Sequence, residues 1–317
     1  MGVEGKRIFI TGGAGFIGSA VINRLLPQNE VVIYDTFNRS VLEGTDFSKS
    51  PKLNLINGDI LDERKLRTSM EGADIIIHMA AILGVPIVIK DPVGTLRTNI
   101  IGTYNVLETA AQLRCLERFV NFSTSEVYGT YAYKLGEEET TSMGVVGEAR
   151  WTYAISKLAG EHMALSYCKQ HGLPVVSVRP FNIYGPRRGE AAIYIFIDKA
   201  IKNEDIEVHG DGDQVRSWCY IDDFVDSILL CLKKKEAIGE VFNIGNPKGT
   251  ITVLSLAQKI IQACKSKSKI RFVPRPYADI EIRIPSIVKA RKLLGYEPKI
   301  DLEEGLRRTI AWYRERK

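Results

Sequence analysis

Histidine and cysteine are scarce in this chain, four and five among 317 residues, and neither kind is spaced as ligands are. Cys115, Cys168, Cys219, Cys231 and Cys264 form no C-x-x-C pair, and His78, His162, His171 and His209 stand far apart in the sequence. No metal is therefore expected, and the thiols read as incidental groups of a reducing compartment. Long apolar runs are missing as well: the longest, 75–89, is interrupted by His78, Gly84 and Pro86 and falls short of a membrane span. No leader-like segment precedes Lys6 and Arg7, so a cytoplasmic protein is expected, without membrane partners. Charge of one sign is slight. The net +5 comes from scattered lysines and short runs such as Lys233 to Lys235, with no interleaved aromatics, which argues against a nucleic-acid surface. There is no repeat and no low-complexity tract.

What is present describes an ordinary globular chain, 45% hydrophobic and 26% charged, long enough for one large domain or two unequal ones. The most informative stretch is Thr11-Gly12-Gly13-Ala14-Gly15-Phe16-Ile17-Gly18, set directly after the apolar run Ile8-Phe9-Ile10. It reads as a strand, a tight turn and a helix. Glycines at 12, 15 and 18 let the backbone approach a pyrophosphate, whose charge suits the amide groups of a helix N-terminus. Taken alone, such a loop is also compatible with a purely structural turn. The second apolar run, Val31 to Tyr34, ends in Asp35, 17 residues after Gly18, where a carboxylate can accept bonds from the adenosine ribose. That placement favours NAD over NADP, although Arg39 nearby softens the preference. Asp59, after the run Leu53 to Ile56, serves either the adenine edge or the cap of the following helix.

Apolar runs near 7–10, 31–34, 53–56, 75–79, 118–122 and 175–179 alternate with helical stretches. This predicts an α/β fold with a doubly wound parallel sheet of Rossmann type, ligands collecting at the C-terminal strand ends. Residues 1–180 are expected to form the NAD-binding domain, with some later segments returning to it, and 181–317 mainly a smaller C-terminal lobe for substrate. Asp301 to Glu304 reads as a helix start with a structural role.

Tyr153 and Lys157 lie four apart and share a helix face. A neighbouring ammonium favours the phenolate of a tyrosine, which can then take a proton from a hydroxyl while hydride leaves the same carbon. The pair by itself also fits an ordinary surface. Before it, the run Phe119 to Phe122 leads into Ser123-Thr124-Ser125-Glu126, small hydroxyls and a carboxylate at a strand end that could present donors and a base to a sugar; the alternative is a turn with a capping glutamate. His78, among apolar residues, reads as a satisfied near-core histidine.

Together the glycine loop, whose G-x-x-G-x-x-G spacing is that of short-chain dehydrogenases, Asp35, His78 to Ala81, Asn99, Ser123 to Gly129, Tyr153 to Lys157, Arg179 to Pro186, Asn243 to Gly245 and Leu294 to Pro298 resemble an extended short-chain dehydrogenase/reductase. More narrowly, the chain is similar to the NAD-dependent nucleotide-sugar epimerase/dehydratase/decarboxylase family. The resemblance implies bound NAD held by Gly12, Gly15, Phe16, Ile17, Gly18, Asp35, Asn38, Asp59, Ile60, Ala80, Ala81, Asn99, Tyr153 and Lys157. It implies a nucleotide-diphosphate sugar, UDP-linked in the first instance, held by Asn182, Arg216 and Arg283. It also implies a homodimer through helices after Asp91 and around Tyr153.

The chemistry implied is transient oxidation at the sugar C4, with Thr124, Ser125, Glu126, Tyr153 and Lys157 as catalytic residues. The 4-keto sugar is then reduced on the other face, dehydrated or decarboxylated. Glu126 stands where C4-epimerases usually carry a small residue, and Ser125 replaces the aspartate of the dTDP-glucose dehydratase pattern. Arg150-Trp151 resembles bacterial UDP-glucuronate decarboxylases. The expectation is therefore a C5-active enzyme, decarboxylase-like or dehydratase-like, with a C4-epimerase as the alternative and a non-catalytic NAD sensor as the rival from another class.

Overall fold

The computed structural model describes residues 3–187, 191–275 and 279–315. The apolar runs form one seven-stranded sheet: β1 (Arg7–Thr11), β2 (Glu30–Asp35), β3 (Leu53–Asn57), β4 (Ile75–His78), β5 (Arg118–Phe122), β6 (Val175–Pro180) and β7 (Val241–Ile244), in the order β7-β6-β5-β4-β1-β2-β3. Every pairing is parallel. Parallel strands need crossovers, and the helices that supply them bury both faces of the sheet. This is why β2 and β4 are continuously apolar rather than alternating. The strand order reverses between β1 and β4, so the cleft opens above the C-terminal ends of these strands.

A second sheet of four strands carries the other wall of the cleft. Its order is Thr250–Thr252, Val215–Ser217, Ile282–Pro285, Tyr131–Leu135. One of these strands comes from before residue 180, while β7 is drawn back into the large sheet from well after it. A buried polar cluster ties the large sheet to the turn Ser125–Tyr128 and, through the Asn243 side-chain amide donating to the Leu135 carbonyl at 3.1 Å, to the small sheet. Arg179, at the end of β6, forms a two-pronged pair with Glu161 at 3.0 and 2.5 Å and donates to the Tyr128 hydroxyl at 2.6 Å. Tyr128 in turn reaches Asn243 Oδ1 at 3.0 Å. Among the described residues no helix is long and apolar enough to cross a membrane, and no group of histidines, cysteines and carboxylates stands close enough to hold a metal.

Candidate active site

The turn after β1 is shaped by two steric demands. Gly12 has φ of +70°, and a Cβ there would lie 2.6 Å from the Ala80 backbone nitrogen, so only glycine lets β1 turn past the end of β4. At Gly18 a Cβ would meet the Gly13 carbonyl oxygen at 2.4 Å, so the helix Phe16–Leu25 can seat on its own turn only with glycine there. That helix starts at Gly15 with no side-chain cap and no acidic residue in its first turn. Its positive end, at Phe16, Ile17 and Gly18, carries no negative charge of its own in that turn. Asp35 is fixed beside it, accepting from the Ala14 and Phe37 amides at 3.0 and 2.8 Å, one on each oxygen, with a lone pair of each still available. An uncapped helix end beside a fixed carboxylate fits a pyrophosphate and a ribose diol, the two polar parts of NAD. Asn38 is exposed past Asp35, and the Asp59 carboxylate caps its own turn by accepting from the Leu61 amide at 2.9 Å. Ile60 is buried against Gly102, and Ala80 and Ala81 line the end of β4, half-buried.

Beneath this cradle runs a chain of neutral hydrogen bonds. The Ala80 amide donates to Thr11 Oγ1, which meets His78 Nδ1 at 2.7 Å; His78 Nε2 meets Thr103 Oγ1 at 2.9 Å, and that hydroxyl donates to the Asn99 carbonyl at 2.6 Å. With the Thr103 proton committed to a carbonyl, Nε2 must be the protonated ring nitrogen and Nδ1 the acceptor. Burial, with the Lys157 ammonium adding to it, pulls His78 down to about 3, so the ring is neutral. It is a satisfied core histidine, as the sequence implies. Asn99 sits in a π-helical turn, Arg97–Ile101, an irregularity that aims its side chain out of the helix. Its amide bonds both backbone groups of Ile82 and also Ser156 Oγ at 2.9 Å, which donates to the Tyr153 carbonyl at 2.7 Å. The helix Thr152–His171 is thereby pinned at the turn that carries Tyr153.

Tyr153 is half-buried and Lys157 is buried one turn below it. Burial lowers Lys157 to about 8, opposed by Glu161, whose carboxylate is committed to Arg179. An ammonium so poorly compensated gains by having a phenolate near it.

The opposite wall is charged. Thr124 caps the short turn Ser125–Tyr128 by accepting from the Glu126 amide at 3.2 Å, and Ser125 is buried within it. Glu126, its side chain 20% exposed, accepts from Arg150 Nη1 at 2.7 Å, and Arg283 Nη1 stands 3.9 Å away. Arg216 and Arg283 are register partners on adjacent parallel strands, so two buried guanidiniums lie side by side. Asp279, 3.4 Å from Arg216, completes a group of three arginines against two carboxylates. Burial lowers Arg283 to about 9 against the pull of Glu126, and its Nε has no hydrogen-bond partner among the described residues. Such a cluster favours an added anion. Asn182, with φ of +43°, donates its side-chain amide to the Ser217 carbonyl at 3.1 Å and borders this wall. Arg150 is the charged neighbour of Glu126 that a site list drawn from the sequence leaves out. Its signal was its place three residues before Tyr153.

This strand order, glycine turn and tyrosine–lysine pair define a dinucleotide-binding α/β protein of the dehydrogenase type. Residues 8–245 match the model of the NAD dependent epimerase/dehydratase family, and the chain belongs to that family, whose cofactor is NAD. It is 35% identical over 321 residues, 98% of each chain, to the UDP-N-acetyl-alpha-D-glucosaminuronate decarboxylase of Bacillus cytotoxicus. It is likewise 35% identical to the dTDP-glucose 4,6-dehydratase of Streptomyces niveus, over 98% of this chain and 93% of that one. The UDP-glucuronic acid 4-epimerase of Bacillus cereus, solved with UDP-glucuronic acid and NAD, superposes with a TM-score of 0.90 at 29% identity, over 98% of this chain and 100% of that one. The family, fold and cofactor expected from the sequence all hold.

Proposed function

We propose that this protein converts a nucleotide-diphosphate sugar through a 4-keto intermediate and acts at C5, with decarboxylation of a UDP-hexuronate as its reaction. The observation that carries this reading is Glu126 held between Arg150 and Arg283, with Arg216 beside them. A C4-epimerase has no use for a fixed carboxylate facing the sugar at C5. A surplus of buried positive charge suits a substrate that brings a carboxylate in addition to its diphosphate. The similarity to the decarboxylase of Bacillus cytotoxicus supports the same reading, and that to the dehydratase of Streptomyces niveus supports action at C5.

NAD, when bound, supplies the hydride acceptor and donor at C4. Tyr153 takes the C4 hydroxyl proton, and Lys157 below it stabilises the phenolate. The C4 ketone makes a C5 carboxylate a β-keto acid. The C5–carboxyl bond then breaks, carbon dioxide leaves, and the electron pair passes to the C4 oxygen as an enolate. A proton returns to C5, and Tyr153 gives its proton back to the C4 oxygen as the ketone is reduced again. Glu126, ionised, opposes the substrate's own carboxylate and so favours its departure as a neutral molecule. Were the substrate a hexose, the same group would serve as the base that removes the C5 proton for dehydration.

Incubation with UDP-, GDP- and dTDP-linked sugars in the presence of NAD, read by product mass, tests the proposal. Loss of carbon dioxide from a UDP-hexuronate is the expected result. Loss of water points to the dehydratase, unchanged mass to the epimerase, and no conversion with no nicotinamide absorbance change to the sensor. We further infer a cytoplasmic homodimer. Ile101, Tyr104 and Ile155 are exposed on the adjoining elements Arg97–Ile101, Gly102–Ala111 and Thr152–His171, where a second copy would cover them. A sedimentation mass equal to one 35.4 kDa chain would remove the dimer.

A further inference from the structure

The three arginines of the charged wall are not held alike. Arg216 donates to the carbonyls of Val215 and Ile280, and Arg283 to the carbonyl of Gly129, so both guanidiniums are tied to backbone. Arg150 is bonded directly to the Glu126 carboxylate. It is 3% exposed against 20% for the carboxylate, so the arginine lies behind and the carboxylate in front, toward the cleft. Its guanidinium carbon stands 5.2 Å from the centre of the Trp151 ring. That ring is closely packed on Gly144, where a Cβ would come within 1.9 Å of the indole nitrogen. The guanidinium therefore has a carboxylate on one side and a fixed aromatic surface on another.

We propose that Arg150 is a positioning residue, which acts through Glu126 by fixing the carboxylate's direction and keeping it ionised during turnover. The inference rests on the reading that Glu126 acts at C5. Other charges that act on the carboxylate are Arg283 and Arg216 on the small sheet, with Asp279 beside Arg216; the elements packed against the Ser125–Tyr128 turn are the helix that carries Tyr153 and Lys157 and the strand Tyr131–Leu135, which carries Tyr131, Tyr133 and Lys134. Burial raises the Glu126 carboxyl, and Arg150 first, then Arg283 and Arg216, bring it below the ordinary glutamate range. Without Arg150 the remaining positive groups are farther away. The carboxyl then titrates at higher pH, and its side chain gains rotamers that miss the sugar.

The test uses full-length Arg150→Gln, Arg150→Lys and Glu126→Gln enzymes, together with the Arg150→Gln/Glu126→Gln double variant, all with NAD. In Arg150→Gln, kcat should fall about tenfold or more while KM changes less than about threefold, and the acid limb of kcat should move up by about one pH unit. Arg150→Lys should recover most of the rate. The double variant should be no slower than Glu126→Gln alone, since a residue acting only through Glu126 has nothing left to act on. An unmoved acid limb, a loss confined to KM, or losses that multiply in the double variant would each overturn the inference.

If Arg150→Gln does not fold, the carboxyl carbon of Glu126, followed by NMR in wild type and Arg150→Lys and assigned by its loss in Glu126→Gln, decides the matter. A wild-type carboxyl that titrates above ordinary glutamate overturns the inference. That titration stands whichever reaction is run, whereas a product of unchanged mass sinks the C5 reading alone.

Discussion

The two walls of the cleft are built on opposite principles. On the NAD side, Thr11, His78, Thr103, Asn99 and Ser156 form a neutral chain in which donors and acceptors are matched within the protein. On the side proposed for substrate, three arginines face two carboxylates, and Arg283 retains a buried donor with no partner among the described residues. A matched neutral network is rigid before any ligand arrives, whereas an unbalanced charged cluster is completed by one. The difference fits a division of labour in which the cofactor site is preformed and stays loaded while substrate and product exchange on the other wall.

The largest effect should come from the residue where the two walls meet. Tyr153→Phe should lower turnover by roughly 10²-fold or more, the scale of a lost general acid–base group, while NAD binding and folding persist because the bond that pins the helix at the Tyr153 carbonyl is kept. Steady-state rates beside a cofactor titration check this, and an equally active variant removes Tyr153 from the chemistry. Glu126→Gln keeps the shape of the charged wall and deletes one of its negative charges. For a C5-active enzyme, final product should fall by about tenfold or more while the 4-keto sugar and nicotinamide absorbance accumulate. For a C4-epimerase, interconversion should stay within about a factor of ten, since a peripheral hydrogen bond is worth about 1 kcal/mol.

A smaller effect belongs to the edge of the neutral wall. Asp35→Ala should weaken NAD by about tenfold or more, in line with a lost charge-assisted bond of roughly 1.5–3 kcal/mol, and weaken NADP less. Because Asp35 also anchors the Ala14 amide of the glycine turn, some loss of NADP is expected too. An unchanged ratio of the two affinities, measured by fluorescence titration, breaks the assignment.

The neutral wall was far more legible in the sequence than the charged one, and the reason is range. β1 with its glycine turn, and β2 with Asp35, are local signals: a buried parallel strand writes itself as an apolar run, and the turn as its glycines. The strand Tyr131–Leu135 gave no such run. It is an edge strand with Tyr131 and Tyr133 exposed, and its partner, Ile282–Pro285, lies some 150 residues later. The pairing of Arg216 with Arg283 depends on the register of another such long-range pair, which spacing cannot reveal. Asn99 was named through resemblance, but the π-helical turn that aims it has no simple periodic signature. Arg150 was visible only as a pattern, since its bond to Glu126 joins two turns 24 residues apart.

The smallest predicted effect tests whether the neutral wall is neutral. His78 lies at about 3 in the folded protein against an ordinary 6.5, so between those values the unfolded chain binds a proton that the folded chain refuses. The stability contributed by keeping the ring neutral is complete above about pH 6.5 and is lost as the pH falls toward 3, with a slope of at most about 1.4 kcal/mol per pH unit. A His78→Gln protein loses part of the Thr11–Thr103 bridge and should be less stable than wild type at pH 7.5. It has no ring to protonate, so the gap between the two proteins should narrow steadily from pH 6.5 to pH 4. Urea midpoints of both proteins across that range measure the gap directly, with other titrating groups common to the two and cancelling to first order. A gap that stays constant would mean that His78 takes up a proton in the folded protein as readily as in the unfolded chain, and the Thr11–His78 bond would have to run from Nδ1–H to Thr11 Oγ1, with the bonds through Thr103 to Asn99 unchanged.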